Sequence, residues 1–123
     1  MERFSFASDV GFVPQGDLLE RVTVAPLTPS IFEGSPIQAA VFRVAPGGRI
    51  ARHPASVPQI LAVLEGSGEV SGEGGVAEPI AAGEAVFWSQ GEEHETTSAP
   101  GLTALVIEGE QVERFRARQT AAP

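Results

Sequence analysis

The sequence predicts an all-β single domain, an antiparallel sandwich or barrel of short strands. Three observations predict it. A chain of 123 residues is the length of one domain and can bury a core without staples. Fourteen glycines and ten prolines punctuate it every few residues rather than clustering, which favours short strands and tight turns over helices. The segments between them are of strand length and recur at regular spacing, the pattern of antiparallel β architecture.

The elements follow in order. Residues 3–7 alternate, with Phe4 and Phe6 on one face, and read as a strand. Asp17-Leu18-Leu19-Glu20 has helix-start character for a turn or so, and residues 20–25 read as a further strand. Residues 37–45 form a strand that ends at the turn Pro46-Gly47-Gly48. Residues 59–65 run to Gly66-Ser67-Gly68, where residues 69–72 return as a hairpin. Residues 76–80, 85–89, 93–98 and Leu102–Glu108 are four more strands, separated by Gly83, Gly91 and Ala99-Pro100-Gly101. Residues 111–119 lack Gly and Pro and read either as a short helix or as an edge strand; the last five residues read as frayed. There is no internal repeat and no linker.

Composition excludes several functions. With no cysteine there are no disulfides, thiolate metal sites or cysteine nucleophiles. With no lysine or tyrosine, Schiff-base chemistry and a tyrosine acid are also excluded, which leaves His, Asp and Glu for proton transfer. The net charge is −8 and every cation is an arginine, so a nucleic acid is a poor partner. No apolar run approaches the ~20 residues that span a bilayer, so no membrane role is expected. The start Met-Glu-Arg-Phe-Ser-Phe has neither the basic nor the apolar region of a signal peptide, and the expected location is cytoplasmic. The Ala, Gly, Arg and Glu bias suits a GC-rich bacterial genome.

Two segments carry the chemistry. One runs from Gly47 through His53, Ala55 and Gln59 to Gly66, and the other from Gly83 through Ser89 and Gly91 to His94 and Ser98; each holds one of the two histidines of the chain. Their spacing resembles the two signature motifs of the cupin superfamily, of the small RmlC-like single-domain kind. The family's first motif has a second histidine where Ala55 stands and a glutamate where Gln59 stands. Its second motif has a proline where Ser89 stands and an asparagine where Ser98 stands. The resemblance implies a jelly-roll barrel (a double-stranded β-helix) over about residues 37–108, with N-terminal strands in 3–27 and a C-terminal extension over 109–123.

Strand parity agrees with that placement. His53, Ala55, Gln59, Leu61 and Val63 share one parity, and His94, Thr96 and Ser98 share another face. The resemblance turns those faces inward. It implies a metal site of His53, Gln59 and His94 in a pocket lined by Ala55, Leu61, Val63, Trp88 and Thr96. The implied cofactor is one divalent transition metal, Zn, Ni, Fe, Mn or Cu, since neutral imidazoles suit these ions. Gln59 contributes no charge, so affinity falls below that of an intact motif. No replacement carboxylate is evident: Glu65 lies too far along its strand, Glu95 has the wrong parity, and Glu92 and Glu93 sit in a solvated turn.

Plainer readings hold elsewhere. The glycines of 66–72 suit a hairpin better than a phosphate loop, because no helix follows them. Phe87 and Trp88 read as core residues, and Arg49 and Arg52 as surface residues. The serines near the histidines form no triad, because no Asp is placed to orient an imidazole.

Three functions stay open at this stage. One is a metallo-cupin acting on a small oxygen-bearing molecule by dioxygenation or isomerisation. The others are a metal-free cupin that binds a small-molecule ligand, and a structural dimer with a filled pocket. The resemblance also implies a homodimer; the strands near the N-terminus, with Phe4 and Phe6, are expected to take part in its interface or to cross to the partner.

Overall fold

The computed structural model of the protein describes residues 1–116. Seven strands account for most of it: β1 (Leu19–Pro26), β2 (Gln38–Pro54), β3 (Gln59–Ser71), β4 (Glu78–Ala81), β5 (Ala85–Trp88), β6 (Glu93–Ser98) and β7 (Leu102–Glu108). Two single 3-10 turns, Ser8–Val10 and Ile31–Glu33, interrupt the loops. The second is fixed by a capping box, in which Ser30 accepts from the Phe32 N–H and Glu33 accepts from the Ser30 N–H.

All the strand pairs are antiparallel, and they close on themselves. The first half of β2 pairs with β7, and its second half pairs with β6. In β3 the first half pairs with β7 and the second with β6. The circuit β2–β6–β3–β7 therefore closes into a barrel. β1 flanks it on β2, while β4 and β5 flank it on β3. The inward faces meet in a core that includes Val22, Val44, Leu61, Val63, Trp88, Leu102, Ala104 and Val106. Burial alternates residue by residue along β6 and β7, as a sheet packed on one face requires.

The two long strands depart from the sequence reading. Pro46-Gly47-Gly48 is no turn; β2 runs through it to Pro54. Its register against β1 shifts between Glu20 and Val22, and Gly47 takes φ 79 in the irregular stretch. Likewise β3 does not fold back at Gly66-Ser67-Gly68 but continues to Ser71. The strand bulges between Val63 and Glu65, which breaks the parity count and leaves Glu65 exposed. In each case a local glycine signal for reversal becomes a bend, because the strand pairs first with β7 and then with β6 and must change partners midway.

Three smaller readings also change. Residues 3–7 form no strand; Phe4 and Phe6 are 71% and 49% exposed, since no neighbouring strand pairs with them. Asp17-Leu18-Leu19-Glu20 starts no helix, for β1 begins at Leu19. Residues 111–116 are neither helix nor strand, and the rest of the C-terminal segment, including its last five residues, lies outside the described residues. No helix among the described residues is long and apolar enough to cross a membrane.

Candidate functional site

The site begins with a strand pairing. His53 on β2 lies directly opposite His94 on β6, and side chains of such a cross-strand pair share one face. Their ring centroids are 4.3 Å apart, with the planes tilted by 51°. Trp88 also packs against His94, centroid to centroid 4.4 Å. His94 is 2% exposed, while His53 is half-buried.

Hydrogen bonds fix the chemistry of both rings. His53 Nδ1 lies 2.8 Å from the Ala51 carbonyl oxygen, and His94 Nδ1 lies 3.1 Å from that of Glu92. A carbonyl oxygen can only accept, so each Nδ1 carries the proton and each neutral ring keeps its lone pair on Nε2. His94 Nε2 is buried and has no hydrogen-bond partner among the described residues. Burial, its largest influence, pushes the His94 imidazole below its ordinary value of 6.5; the Glu92 carbonyl opposes this, and His53 adds to it.

Gln59 completes the group from β3. Its register partner on β7 is Glu108, and its Nε2 donates to Glu108 Oε2 at 2.9 Å. The amide nitrogen is thereby committed to Glu108, and the free end of the side chain is the acceptor Oε1. All three residues line one cavity of about 380 Å³ in the mouth of the barrel, a size typical of small-molecule sites. Its polar base also includes Glu108, Thr96 and Gln38; its walls are apolar, with Phe12, Phe32 and Phe42 among them.

The expected pocket residues divide. Leu61 and Thr96 line this cavity. Ala55, Val63 and Trp88 are buried but are not among its lining residues: Ala55 is tied to the turn before β6 through Gly91 and Glu92, Val63 packs in the core, and Trp88 packs against His94. Sequence reading missed Glu108, Gln38 and Ser56, which line the cavity as well. Glu108 lies 49 positions from Gln59, and only the β3–β7 register brings them together.

The other acids are engaged elsewhere. Glu92 accepts the Ser89 N–H, and Glu73 accepts the Glu93 N–H. Glu95 lies 3.9 Å from Arg49, which also pairs with Glu20 at 2.9 Å. Arg52 donates to the Gly72 and Glu73 carbonyls. Neither Arg49 nor Arg52 lines the cavity. A wider groove of about 540 Å³ lies alongside, but Glu110 is its one titratable lining residue, so the chemistry is concentrated in the barrel mouth.

Whether these residues suit a metal depends on their donor atoms. Among the described residues, no three or more of His, Cys, Asp and Glu gather as a metal-holding group. With Gln59 counted, three side chains each have one polar atom pinned (to Ala51, Glu92 or Glu108) and one lone-pair atom free. Pinning of the non-ligating atom is the usual support of a metal ligand. The set fits a divalent transition metal as two nitrogens and one oxygen, without charge in the first ring.

The lowered His94 value has a consequence for stability. The unfolded chain takes up a proton at about 6.5, which the folded ring resists. Stability is therefore full above that value, falls as pH drops from it towards the lower folded value, and is level below. In metal-free protein, urea denaturation at pH 7.5 and pH 5.0 should show a larger loss for wild type than for His94→Leu. Equal losses would contradict the assignment.

Known proteins place the chain. The cupin domain family profile matches residues 40–112, and no curated protein is significantly similar in sequence. Among solved structures, the polyketide cyclase RemF of Streptomyces resistomycificus superposes with a TM-score of 0.74 at 25% identity, over 90% of this chain and 80% of that one. An RmlC-like cupin of Shewanella frigidimarina gives 0.70 at 18% identity, over 92% and 95%. A protein described as a predicted oxalate decarboxylase, from Thermotoga maritima, gives 0.62 at 24% identity, over 70% and 77%. With more than half of the chain matched, and the barrel closed around a histidine pair at its mouth, the protein belongs to the cupin domain family.

Proposed function

We propose that the chain binds a small, largely apolar, oxygen-bearing molecule in the barrel mouth, over one divalent transition-metal ion held by His53, Gln59 and His94. The observation that carries this reading is His94 Nε2: a buried lone pair with no partner among the described residues, on a ring 4.3 Å from a second imidazole of the same tautomer. An unpaired buried acceptor costs about 1–3 kcal/mol, a cost that a bound cation or donor removes. When bound, the ion supplies Lewis-acid polarisation of a ligand oxygen. The chain's own residues do the rest. The two carbonyls hold the tautomers, Glu108 holds Gln59, and Phe12 and Phe42 exclude water above the polar base.

The walls bear on the ligand class. Among the described residues no arginine lines the cavity, and Glu108 is its one carboxylate. That supports a neutral ring-bearing molecule over a small dianion such as oxalate, as does the likeness to a polyketide cyclase. A second reading, a metal-free binding site, is favoured by one feature, the absence of charge in the ring of donors. We also propose a cytoplasmic homodimer; the exposed Phe4, Phe6 and Val13 supply apolar surface for it.

Native mass spectrometry of protein purified without chelators tests metal and assembly together. The expected species has the mass of two chains with one metal per chain, and His53→Ala should lose the metal while keeping the two-chain mass. A metal-free wild type would leave only the second reading, and a single-chain mass would sink the dimer.

A further inference from the structure

We propose that Glu108 supplies, from the neighbouring strand, the negative charge that position 59 lacks. Gln59 and Glu108 then act together as one anionic arm of the metal site. This rests on the metal reading above and goes beyond it, because it assigns a positioning residue in β7 that neither motif contains.

Geometry carries the inference. Glu108 is directly across from Gln59 in the β3–β7 register and accepts its Nε2–H at 2.9 Å. Both line the cavity that holds the histidine pair, and Glu108 is the one acid among its described lining residues. On its other side Glu108 is paired in register with Gln38, whose Oε1 accepts the Ile31 N–H. Among the described residues, the carboxylate therefore sits between two amide side chains and pairs with no cation.

Two effects follow. The hydrogen bond holds the amide plane so that Oε1 is the end left to coordinate. The carboxylate also polarises the amide, drawing positive charge to its nitrogen and leaving Oε1 more negative, as linked hydrogen bonds do in a low-dielectric site. Coulomb attraction falls only as the inverse of distance, so a charge held one amide further out keeps a fraction of its direct attraction. Position 108 thus recovers part of what a glutamate at 59 would give. It also keeps the first ring neutral when no metal is present.

Visible-absorption titration with Co(II) tests this, since bands of site-bound Co(II) separate it from ions scattered over an acidic surface. Wild type should show these bands, and His94→Leu should abolish them. Glu108→Gln, nearly the same shape, should weaken Co(II) binding tenfold or more with an unchanged or higher Tm in metal-free protein. Glu108→Asp should fall between the two. The exchange Gln59→Glu with Glu108→Gln, which moves the charge into the first ring, should restore wild-type affinity or better. If Glu108→Gln binds within twofold of wild type while the bands still depend on His94, the role of Glu108 is overturned and the metal reading stands. Failure of the exchange to restore binding would also overturn it, by showing that shape rather than charge matters. A wild type without His94-dependent bands would remove both claims.

Discussion

Replacing His94 by leucine is expected to raise the stability of the metal-free protein while abolishing metal binding. An ordinary substitution at a residue 2% exposed lowers stability. Here the buried Nε2 has no partner among the described residues, and leucine removes that unpaired acceptor while filling most of the same space. The hydrogen bond from Nδ1 to the Glu92 carbonyl is lost as well, but that carbonyl still accepts the Ala55 N–H at 3.0 Å, so nothing is left orphaned. The expected gain is about 1 kcal/mol in urea denaturation. Affinity for Co(II) should fall by about a hundredfold or more, because one of only two nitrogen donors is gone. A clear loss of metal-free stability would mean that the ring is held by interactions other than those described.

Gly66→Ala should produce the largest loss of stability in the barrel. Gly66 has φ 80, and an added Cβ would lie 2.2 Å from the Gly101 carbonyl oxygen and 2.9 Å from Leu102 Cα. Both obstacles are backbone, so neither can swing aside. The left-handed conformation costs roughly 1–2 kcal/mol for an alanine, and forced overpacking about 1–3 kcal/mol more, for a total of about 2–5 kcal/mol. Gly83 provides the comparison, with φ 92 but nothing within 4 Å of an added Cβ; Gly83→Ala should cost only about 1–2 kcal/mol. Urea midpoints for the two variants separate conformation from contact. Equal losses would show that the close approach of β3 to Gly101 is not a constraint.

These two residues also show which parts of the molecule were legible in the sequence. The second half of the barrel is regular: β4 to β7 are short, each lies between turn residues, and their bounds follow from local punctuation. The first half is not. Gly47 and Gly66 signal a reversal locally, yet each sits where a long strand changes partner from β7 to β6, and only the closed circuit of pairings decides between a bend and a turn. The alternation of Phe4 and Phe6 has the strand period but no partner strand, so it stays exposed.

At the site, the motif spacing marks His53, Gln59 and His94 as a group, and the β2–β6 register explains why the two rings meet. Parity along a strand finds Leu61 and Thr96 but fails for the rest of the walls. Residues 55–58 separate β2 from β3, so Ala55 and Gln59 do not share one continuous strand, and the bulge after Val63 shifts everything beyond it. Glu108 carries no local signal at all. It stands at the end of an apolar strand, in a position a solvent-facing residue could occupy, and its role depends on a register set between distant segments.

The central claim is that His53, Gln59 and His94 present three free donor atoms to one point. The most direct measurement is an anomalous difference map, collected at the cobalt edge, from crystals grown with Co(II). One strong peak bounded by His53 Nε2, His94 Nε2 and Gln59 Oε1 is predicted, with Gln59 Nε2 still on Glu108. No peak at that point, with cobalt found only on surface glutamates, would contradict it.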